Sequence, residues 1–413
     1  MTSTLETTCC IVGGGPAGMM LGVLLARAGV ETVVLEKHSD FLRDFRGDTI
    51  HPSTLELMHE LGVLDEFLLL PHQKVSHLNA QFGARTLRIA DFSHLPTRCA
   101  FIAFMPQWDF LEFLLRQGKR YGTFELRTQA EVTGLLEEGG RVRGVLAQTP
   151  EGDIEVRADV VIGADGRAST VRAHSKLVVE KLGAPMDVLW FRLSKQDGDP
   201  QESTGHFTGG RILIVINRRE HWQMGYVIAK GTLDELRERG LDSFRTDIAE
   251  LTGFAANRVG EIASWDDVKL LTVAVDRLLK WYQPGLLCIG DAAHAMSPIG
   301  GVGINLAIQD AVACANLLAT PLREGRLTDD DLASVQARRM LPTRVIQWLQ
   351  VAVQNRVITQ VLKGSKALAP PLPIRLISRM PLLQRIPARI VGMGIRPEHI
   401  ETAAARGSAD PGS

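Results

Sequence analysis

Three glycines near the amino terminus have the spacing that allows a backbone turn to approach a diphosphate. Gly13, Gly15 and Gly18 lie within residues 13–18 (GGGPAG), in the register G-x-G-x-x-G. In this register the glycines form a tight turn, admit a pyrophosphate close to the backbone, and let the following helix pack closely on a strand. The free N–H groups and the positive dipole end of that helix favour the same anion. We therefore predict dinucleotide contacts at Gly13, Gly15, Pro16, Ala17 and Gly18.

An acidic residue follows this turn at the distance expected for contact with an adenosine ribose. Glu36 lies 23 residues after Gly13 at the end of an apolar run, and Lys37 comes directly after it. A carboxylate at this point accepts hydrogen bonds from the ribose hydroxyl groups. Glu36 and Lys37 are therefore predicted to belong to the same site, and these residues alone do not choose between FAD and NAD.

The residues around these positions have the pattern of the elements that must hold them. Residues 9–12 are wholly apolar and predict a buried strand, residues 19–28 predict a helix, and residues 31–35 predict a second strand. A glycine turn between a strand and a helix, followed by a second strand, is the unit in which this motif binds nucleotides. The amino-terminal part of the chain is therefore predicted to have an α/β fold.

Two later segments repeat the arrangement of an apolar strand that ends in an acidic turn. Residues 159–169 run from a strand into a turn at Asp165, and residues 286–294 run from a strand into a turn at Asp291. A glycine-rich loop follows the second turn and leads to a predicted helix over residues 306–319. Such a loop presents backbone donors to an anion or to the polar edge of a ring.

Together these segments resemble the group A flavoprotein monooxygenases, the family of para-hydroxybenzoate hydroxylase and phenol hydroxylase. The dinucleotide glycines, the Asp-Gly turn at Asp165 and the Gly-Asp turn at Asp291 follow one another in the family's order and span residues 9–319. The resemblance implies FAD as the cofactor and an α/β fold (α+β overall). It further implies a Rossmann-like FAD-binding domain with an inserted mixed-sheet substrate domain and a helical carboxy-terminal region.

The resemblance also implies cofactor roles for individual residues. Glu36 resembles the family's ribose-binding acid, Arg46 the arginine near the diphosphate, and Gln107 a glutamine that contacts the cofactor. Asp165 resembles the aspartate that helps to hold FAD and affects nicotinamide use, and Asp291 resembles the aspartate bonded to the ribityl chain. The loop that edges the isoalloxazine ring is matched by Pro298, Gly301, Gly303, Ile304 and Asn305.

Other interpretations of single residues stay open, and no catalytic residue is assigned. Taken alone, Asp165 also fits a turn cap, Gln107 a surface position, and Arg46 an ion pair with Asp48. His294 follows Gly-Asp-Ala-Ala and is expected to be a packing residue. Possible bases and anion partners in the predicted substrate domain, among which no spacing selects, are His206, His221, Arg192 and Arg211.

Strand and helix patterns divide the chain into discontinuous domains. Residues 183–275 contain segments rich in β-branched and aromatic residues, which predict strands, and residues 76–82 alternate polar and apolar. We predict an FAD-binding domain from residues 1–75, 99–182 and 276–330, and a substrate-binding sheet domain from residues 76–98 and 183–275. A carboxy-terminal helical region is predicted over residues 331–402, and residues 403–413 are predicted to be disordered.

The resemblance implies a reaction as well. Such an enzyme oxidises NADPH or NADH with FAD, and inserts one oxygen atom of O2 into an aromatic or polyketide-like substrate through a flavin hydroperoxide. No second G-x-G-x-x-G follows a strand, which favours transient docking of the nicotinamide. The alternatives on the same scaffold are a ubiquinone-pathway hydroxylase, an epoxidase or a prenyl-chain reductase, and the non-enzyme alternative is a flavin-binding redox sensor.

Composition limits the remaining choices. The chain has 413 residues, of which 46 are basic and 47 are acidic. The resulting net charge of −1 does not indicate a nucleic-acid-binding protein, which would carry an excess of basic residues. Five cysteines without metal-type spacing indicate free thiols, no metal site and a cytoplasmic location. No stretch offers about 18 uninterrupted apolar residues, so no transmembrane helix is predicted.

The carboxy-terminal segment is the least familiar part of the chain. Residues 374–395 are apolar and basic and are interrupted by Pro381 and Pro387. One interpretation is a cap on a substrate tunnel or a peripheral membrane surface. The other, which the interrupting prolines favour, is a helix that covers the flavin domain or a contact in a homodimer.

Overall fold

The computed structural model describes residues 3–42, 49–83, 85–200, 202–218, 220–364 and 370–405. Arg46 and Asp48 lie outside these ranges, and so does most of the segment predicted to be disordered. Within the described part of that segment, Ala405 donates its N–H to the carbonyl of Arg27 at 2.9 Å.

The strands have the following bounds: β1 Ser3–Val12, β2 Thr32–Leu35, β3 Thr49–Ile50, β4 Gln73–Val75, β5 His77–Phe82, β6 Arg85–Asp91, β7 Ile102–Phe104, β8 Phe124–Arg127, β9 Glu131–Glu138, β10 Arg141–Thr149, β11 Gly152–Gly163, β12 Val179–Lys181, β13 Met186–Ser194, β14 Thr204–Thr208, β15 Arg211–Arg218, β16 His221–Ala229, β17 Lys269–Leu271, β18 Asp276–Leu278, β19 Tyr282–Gln283 and β20 Leu286–Cys288.

The helices have the following bounds: α1 Pro16–Arg27, α2 Pro52–Glu60, α3 Leu64–Leu68, α4 Gln107–Gly118, α5 Thr170–His174, α6 Leu233–Glu238, α7 Leu241–Thr252, α8 Ala256–Val259, α9 Val302–Arg323, α10 Asp329–Val353, α11 Thr359–Lys363, α12 Leu372–Arg379 and α13 Pro381–Gly392. A π-helical turn, Gln354–Ile358, joins α10 to α11.

The predicted α/β class is confirmed, with a parallel sheet at the centre of the first unit. Five strands run parallel in the order β20-β11-β1-β2-β8, and β9, β10 and β19 extend the sheet with antiparallel pairs. The apolar residues 9–12 at the end of β1 are buried, as a strand covered on both faces must be. β1 begins earlier than predicted, because residues from Ser3 onward pair with β11.

Three helices flank this sheet and form its hydrophobic core. α1 packs against both α9 and α4, and its buried residues belong to the same cluster as those of β1 and β11. Residues Ile299–Arg323 are long and apolar enough to cross a membrane, but 78% of that apolar window is buried inside the protein. Such burial is typical of a helix in the core of a globular fold.

A second sheet has seven strands in the order β17-β13-β16-β15-β14-β5-β6. Residues 183–275 contribute five of its strands, and β5, in the stretch 76–82 whose alternation predicts a strand, joins β14 in parallel. Side chains alternate between the two faces of such strands. One face, with Leu189, Phe191 and Leu213, packs against α6–α8. The other, with Val188, Ile212 and Val227, packs against α11 and Ile299.

The carboxy-terminal helices connect the two units. α10 packs on α9, and α11 packs under β15 and β16. α12 and α13 pack against each other and against β6, the edge strand of the second sheet. The end of α13 approaches the parallel sheet again, because Ile390 and Val391 pack beside Met296 and Leu306.

Candidate active site

The acidic and glycine residues predicted to bind a cofactor follow neighbouring parallel strands. Val12 of β1 lies opposite Leu35 of β2 and Gly163 of β11, and Gly163 lies opposite Cys288 of β20. The carboxyl ends of these strands therefore meet at one edge of the sheet, where α/β proteins bind their ligands. The structure brings together at this edge Glu36, Gly13, Asp165 and Asp291.

The glycine turn has one position that is open and two that are closed. A Cβ on Gly18 would lie 1.9 Å from the Gly13 carbonyl oxygen, and a Cβ on Gly13, whose φ is +107°, would lie 2.5 Å from the carbonyl oxygen of Ala164. A Cβ on Gly15 would meet no atom within 4 Å. The turn thus packs tightly on its protein side and is open at Gly15, directly before Pro16 begins α1.

Glu36 supports the glycine turn directly. Its Oε2 accepts a hydrogen bond from the Gly14 N–H at 2.9 Å, and its Oε1 accepts one from the His38 N–H at 3.1 Å. Lys37 is exposed at the same edge of the sheet. A carboxylate can accept about four hydrogen bonds, so Glu36 retains capacity for hydroxyl groups of a ligand.

The turns that carry Asp291 and Asp165 are linked through an arginine that the sequence did not single out. Arg167 Nε lies 3.0 Å from Asp291 Oδ2, and Arg167 Nη2 donates to the Met296 carbonyl at 3.0 Å. Asp165 Oδ2 accepts from the Val171 N–H at 3.0 Å. Burial raises the pKa of the Asp165 carboxyl, although hydrogen bonds from Ser169 and Val171 oppose the shift.

Two buried polar atoms in this cluster have no partner among the described residues. They are Asp165 Oδ1, an acceptor, and Arg167 Nη1, a donor. A buried polar atom without a partner costs free energy, on the order of 1–3 kcal/mol, unless a ligand or water completes it. Together with the open position at Gly15, these atoms fit a polar, phosphate-bearing ligand such as FAD.

The glycine-rich loop after Asp291 is shorter than predicted. Gly300 and Gly301 have φ of +76° and +63°, and α9 begins at Val302 rather than near residue 306. Gly303, Ile304 and Asn305 therefore lie in the first helical turn, while Pro298 and Gly301 lie in the loop. A Cβ on Gly303 would lie 3.9 Å from Asp291 Oδ1, so this turn borders the acidic cluster.

The start of α2 holds this loop in place through residues that sequence reasoning missed. His51 Nε2 lies 3.0 Å from the Gly301 carbonyl oxygen, and Ser53 Oγ donates to Asn305 Oδ1 at 2.6 Å. Because a carbonyl only accepts, Nε2 carries the proton. Burial lowers the pKa of His51 from 6.5 to about 4, against the opposing effect of the Gly301 and Val391 carbonyls. A neutral His51 thus helps to fix the loop.

Gln107 reaches the same edge of the sheet through the topology. It is the first residue of α4, and α4 leads by a short connection into the parallel strand β8. A helix that precedes a parallel strand runs antiparallel to it, so its amino end lies at the carboxyl edge of the sheet. The predicted site residue Arg46 lies outside the described residues.

The second sheet covers the loop with an apolar face. Ile299 packs in one cluster with Trp190, Ile212 and Ile214 of this face. A polar pair lies further along the same face, near the end of β15, where Arg218 Nε donates to Gln223 Oε1 at 2.9 Å and Arg218 lies over the ring of Phe104. The arrangement suits a flat, apolar molecule with a few oxygen atoms.

Arg211 and His294 are engaged elsewhere, whereas His221 lies within electrostatic reach of Arg192 and Arg218 on the second sheet. Arg211 Nη1 pairs with Asp247 at 2.8 Å and with Glu250 at 2.6 Å, on the side of α7. His294 is fully buried, and its Nε2 lies 2.5 Å from Asp310 Oδ2, as befits a packing residue. Burial lowers the pKa values of both His206 and His221.

Comparison with known proteins agrees with this geometry. The model of the FAD binding domain family matches residues 6–348. The chain is 34% identical over 390 residues to 6-methylpretetramide 4-monooxygenase of Streptomyces rimosus, covering 93% of this chain and 92% of that protein. It is 29% identical over 332 residues to an uncharacterised aromatic compound monooxygenase of Bacillus subtilis (strain 168), covering 76% of this chain and 61% of that protein. The chain thus spans about three fifths of the second relative.

A solved structure shares the fold over nearly the whole chain. The p-nitrophenol 4-monooxygenase PnpA of Pseudomonas putida DLL-E4 superposes with a TM-score of 0.74 over 94% of this chain and 96% of that chain, at 19% identity. At this identity the similarity concerns the fold alone.

Proposed function

Because this chain belongs to the FAD binding domain family, we propose that it hydroxylates a polycyclic, polyketide-like aromatic compound at the site described above. The chain is an FAD-dependent monooxygenase of the aromatic hydroxylase type, with NADPH or NADH as co-substrate. The overall balance is one substrate C–H, O2, NAD(P)H and a proton converted to C–OH, water and NAD(P)+. What the proposal adds is the substrate class and the residues that serve it.

The substrate class is inferred from the similarity to the relative from Streptomyces rimosus. Its name gives a polycyclic polyketide, 6-methylpretetramide, as the compound that it oxidises, and the identity extends over 93% of this chain. The matched length includes the second sheet and the carboxy-terminal helices, not only the nucleotide-binding half. Similarity over the substrate-covering face supports a similar kind of substrate.

FAD, when bound, supplies the electron-accepting and oxygen-activating chemistry of the reaction. The chain's own residues would hold it at the edge of the parallel sheet. The open turn at Gly15 and the amino end of α1 suit the diphosphate, and Glu36 suits the adenosine ribose. Asp291 and Asp165, with the orphaned donor of Arg167, suit the polar chain between the diphosphate and the ring.

The substrate would lie between the loop at Ile299 and the apolar face of the second sheet. Trp190 and Ile214 would contact a flat ring system there and exclude water from it. The pair Arg218–Gln223 would orient an oxygen substituent, because the Arg218 guanidinium offers charge-assisted donors beside the apolar residues of that face. This assignment gives Arg218 and Gln223 a role in orientation rather than in proton transfer.

The test is substrate-dependent oxidation of NAD(P)H by the purified, flavin-loaded protein. We expect tetracyclic phenols to stimulate NAD(P)H oxidation and O2 uptake, with a product that has gained one labelled oxygen atom from isotopically labelled O2. Arg218→Met should raise KM for such phenols more than it lowers kcat, whereas Arg239→Met, at an exposed site near α7, serves as the matched control.

Other results would contradict the proposal in distinguishable ways. Stimulation by single-ring phenols alone would reject the polyketide-like substrate and keep the hydroxylase. Reduction of a substrate double bond without O2 would indicate a reductase. A purified protein that neither contains FAD nor changes its spectrum with added FAD would reject the site itself.

A further inference from the structure

Charge is strongly segregated along this nearly neutral chain. From Leu332 to Pro397 there are eleven Lys and Arg residues and no Asp or Glu. Because the whole chain has a net charge of −1, the remaining residues carry −12. Such separation is an electrostatic feature of the molecule as a whole, and it is typical of proteins that approach an anionic surface.

Within this basic segment, α12 and α13 expose apolar side chains that the protein leaves uncovered. The exposed fractions are 76% for Leu372, 54% for Leu376, 45% for Met380, 66% for Leu382 and 57% for Ile386. Four of these residues lie on the two helices, which pack side by side on β6, and Met380 lies at the junction between them. Contiguous exposed apolar groups of this kind mark an interaction surface more often than single exposed leucines do.

Arginines on the same two helices are interspersed with these apolar residues. Arg379, Arg385 and Arg389 are exposed, and Arg375 is partly exposed. None of the four forms an ion pair with a carboxylate among the described residues. We name these four arginines and the five apolar residues the α12–α13 surface. Its composition is that of helices that lie in the plane of a membrane interface, with an apolar face and a basic flank.

A pocket beside this surface collects four arginines from two elements. Arg85 and Arg88 of β6 and Arg375 and Arg379 of α12 line an open pocket of about 320 Å³. Arg85 and Arg88 likewise form no ion pair with any carboxylate that the structure describes. Four uncompensated guanidinium groups around one pocket favour an anion, and a phosphate suits them because arginine binds it through paired hydrogen bonds.

We propose that the α12–α13 surface docks this protein on an anionic phospholipid membrane, with lipid phosphates in the arginine pocket. The apolar side chains enter the interface, and the arginines meet the headgroups. One ligand, an anionic lipid surface, accounts for both the apolar and the basic halves of the surface. The proposal is independent of the substrate assigned above.

The other occupants explain only part of what is observed. A soluble phosphate compound would fill the arginine pocket and leave Leu382 and Ile386 in water. A second copy of the chain, related by a twofold axis, would place the arginines of one α12–α13 surface against those of the other. That repulsion favours a lipid surface over self-association.

The test is cosedimentation of the full-length, flavin-loaded protein with vesicles. We expect binding to mixed phosphatidylcholine–phosphatidylglycerol vesicles, weaker binding at high salt, and little binding to phosphatidylcholine alone. Arg379→Gln and Arg385→Gln should each lower the partition coefficient about fivefold, the effect of one basic residue at an anionic surface. Leu376→Gln and Leu382→Gln should each lower it about tenfold, through lost apolar burial.

Matched controls distinguish binding by this surface from nonspecific electrostatic or hydrophobic binding to vesicles. Leu69→Gln, at a leucine that is 85% exposed outside the basic segment, and Arg237→Gln on α6 should leave vesicle binding unchanged. Equal binding to neutral and anionic vesicles, or equal binding by all variants, would overturn the proposal. So would a wild-type dimer that Leu376→Gln dissociates, because a second copy would then cover the surface. Binding of inorganic phosphate without any binding of vesicles would overturn it as well.

Discussion

Arg167 illustrates what a single residue contributes to the site and why the sequence did not reveal it. It pairs with Asp291 across 124 residues of chain and bridges the two acidic turns that sequence motifs identified separately. His51 is similar, because its partner Gly301 is 250 residues away. Motifs predict residues whose neighbours in sequence are their neighbours in space. They do not identify partners that are distant in sequence and meet only when the sheet forms.

At the residue scale, Asp291→Ala should weaken FAD binding by about 10- to 100-fold, the loss expected for a hydrogen bond to a charged group. The substitution removes an acceptor at the acidic cluster and also leaves Arg167 Nε without its carboxylate. Flavin fluorescence titration of the apoprotein measures the change. Asp153→Ala, at an exposed aspartate near the opposite end of β11, should leave the affinity unchanged. Equal affinity of the Asp291→Ala variant and the wild type would remove Asp291 from the site.

The raised pKa of Asp165 should make the stability of the flavin-free protein depend on pH. Its pKa is raised in the folded protein by burial, so the folded state binds the proton more tightly than the unfolded state. This carboxyl therefore contributes to stability at pH values below its ordinary pKa of 3.8. The contribution is lost as the pH rises through the raised pKa of the folded state. Asp165→Asn should therefore stabilise the flavin-free protein at neutral pH, with no difference below the ordinary value.

Thermal unfolding of the flavin-free protein across this pH range measures the effect, and the same variant should bind FAD more weakly. Greater stability together with weaker cofactor binding is the expected trade-off of a functional residue that is strained without its ligand. An Asp165→Asn variant less stable than the wild type at neutral pH would show that the carboxylate serves the protein alone, as a cap for α5.

At the scale of elements, prediction succeeded where the pattern was local and failed where it depended on pairing. The order of β1, α1 and β2 followed from the apolar and glycine positions of residues 9–35, which are close together in sequence. The start of β1 at Ser3 did not, because those polar residues are held by pairing with β11. The start of α9 was placed four residues late, since Gly303 lowers helix propensity while tertiary packing overrides it.

The glycine turn offers a matched pair of variants that separates packing from ligand binding. Gly18→Ala would place a Cβ 1.9 Å from the Gly13 carbonyl oxygen, so it should destabilise the fold by several kcal/mol, on the scale of overpacking in a core. In Gly15→Val the new side chain would lie in open space, and the φ of −76° at this position is ordinary for valine. This variant should therefore fold normally, but it should lose FAD because the side chain occupies the space for the diphosphate. Urea unfolding and flavin titration of the two variants should give opposite patterns. A Gly15→Val variant with normal flavin affinity would place the diphosphate elsewhere.

At the scale of the whole molecule, the carboxy-terminal segment is tied to the core by a buried ion network. Glu398 lies 3.1 Å from Arg339 and 2.9 Å from Arg338, and Arg339 reaches Asp310 at 2.9 Å. Asp310 in turn accepts from the Gly290 N–H at 3.1 Å, directly before Asp291. The network therefore connects the chain's end to the acidic turn of the site, and it anchors the basic segment that precedes residue 398.

Glu398→Ala should be the most damaging of the substitutions near the end of the chain. Arg339 is only 1% exposed and would retain a single carboxylate partner, so about 3–5 kcal/mol of stability should be lost, as when one member of a buried ion pair is removed. Urea unfolding measures this loss. Glu401→Ala, at an exposed carboxylate three residues later, should lie within about 0.5 kcal/mol of wild type, as surface substitutions do. If the two variants proved equally stable, the carboxy-terminal segment would not be needed for the stability of the fold. A loss confined to Glu398→Ala, accompanied by weaker FAD binding, would show that the acidic turn at Asp291 depends on the end of the chain.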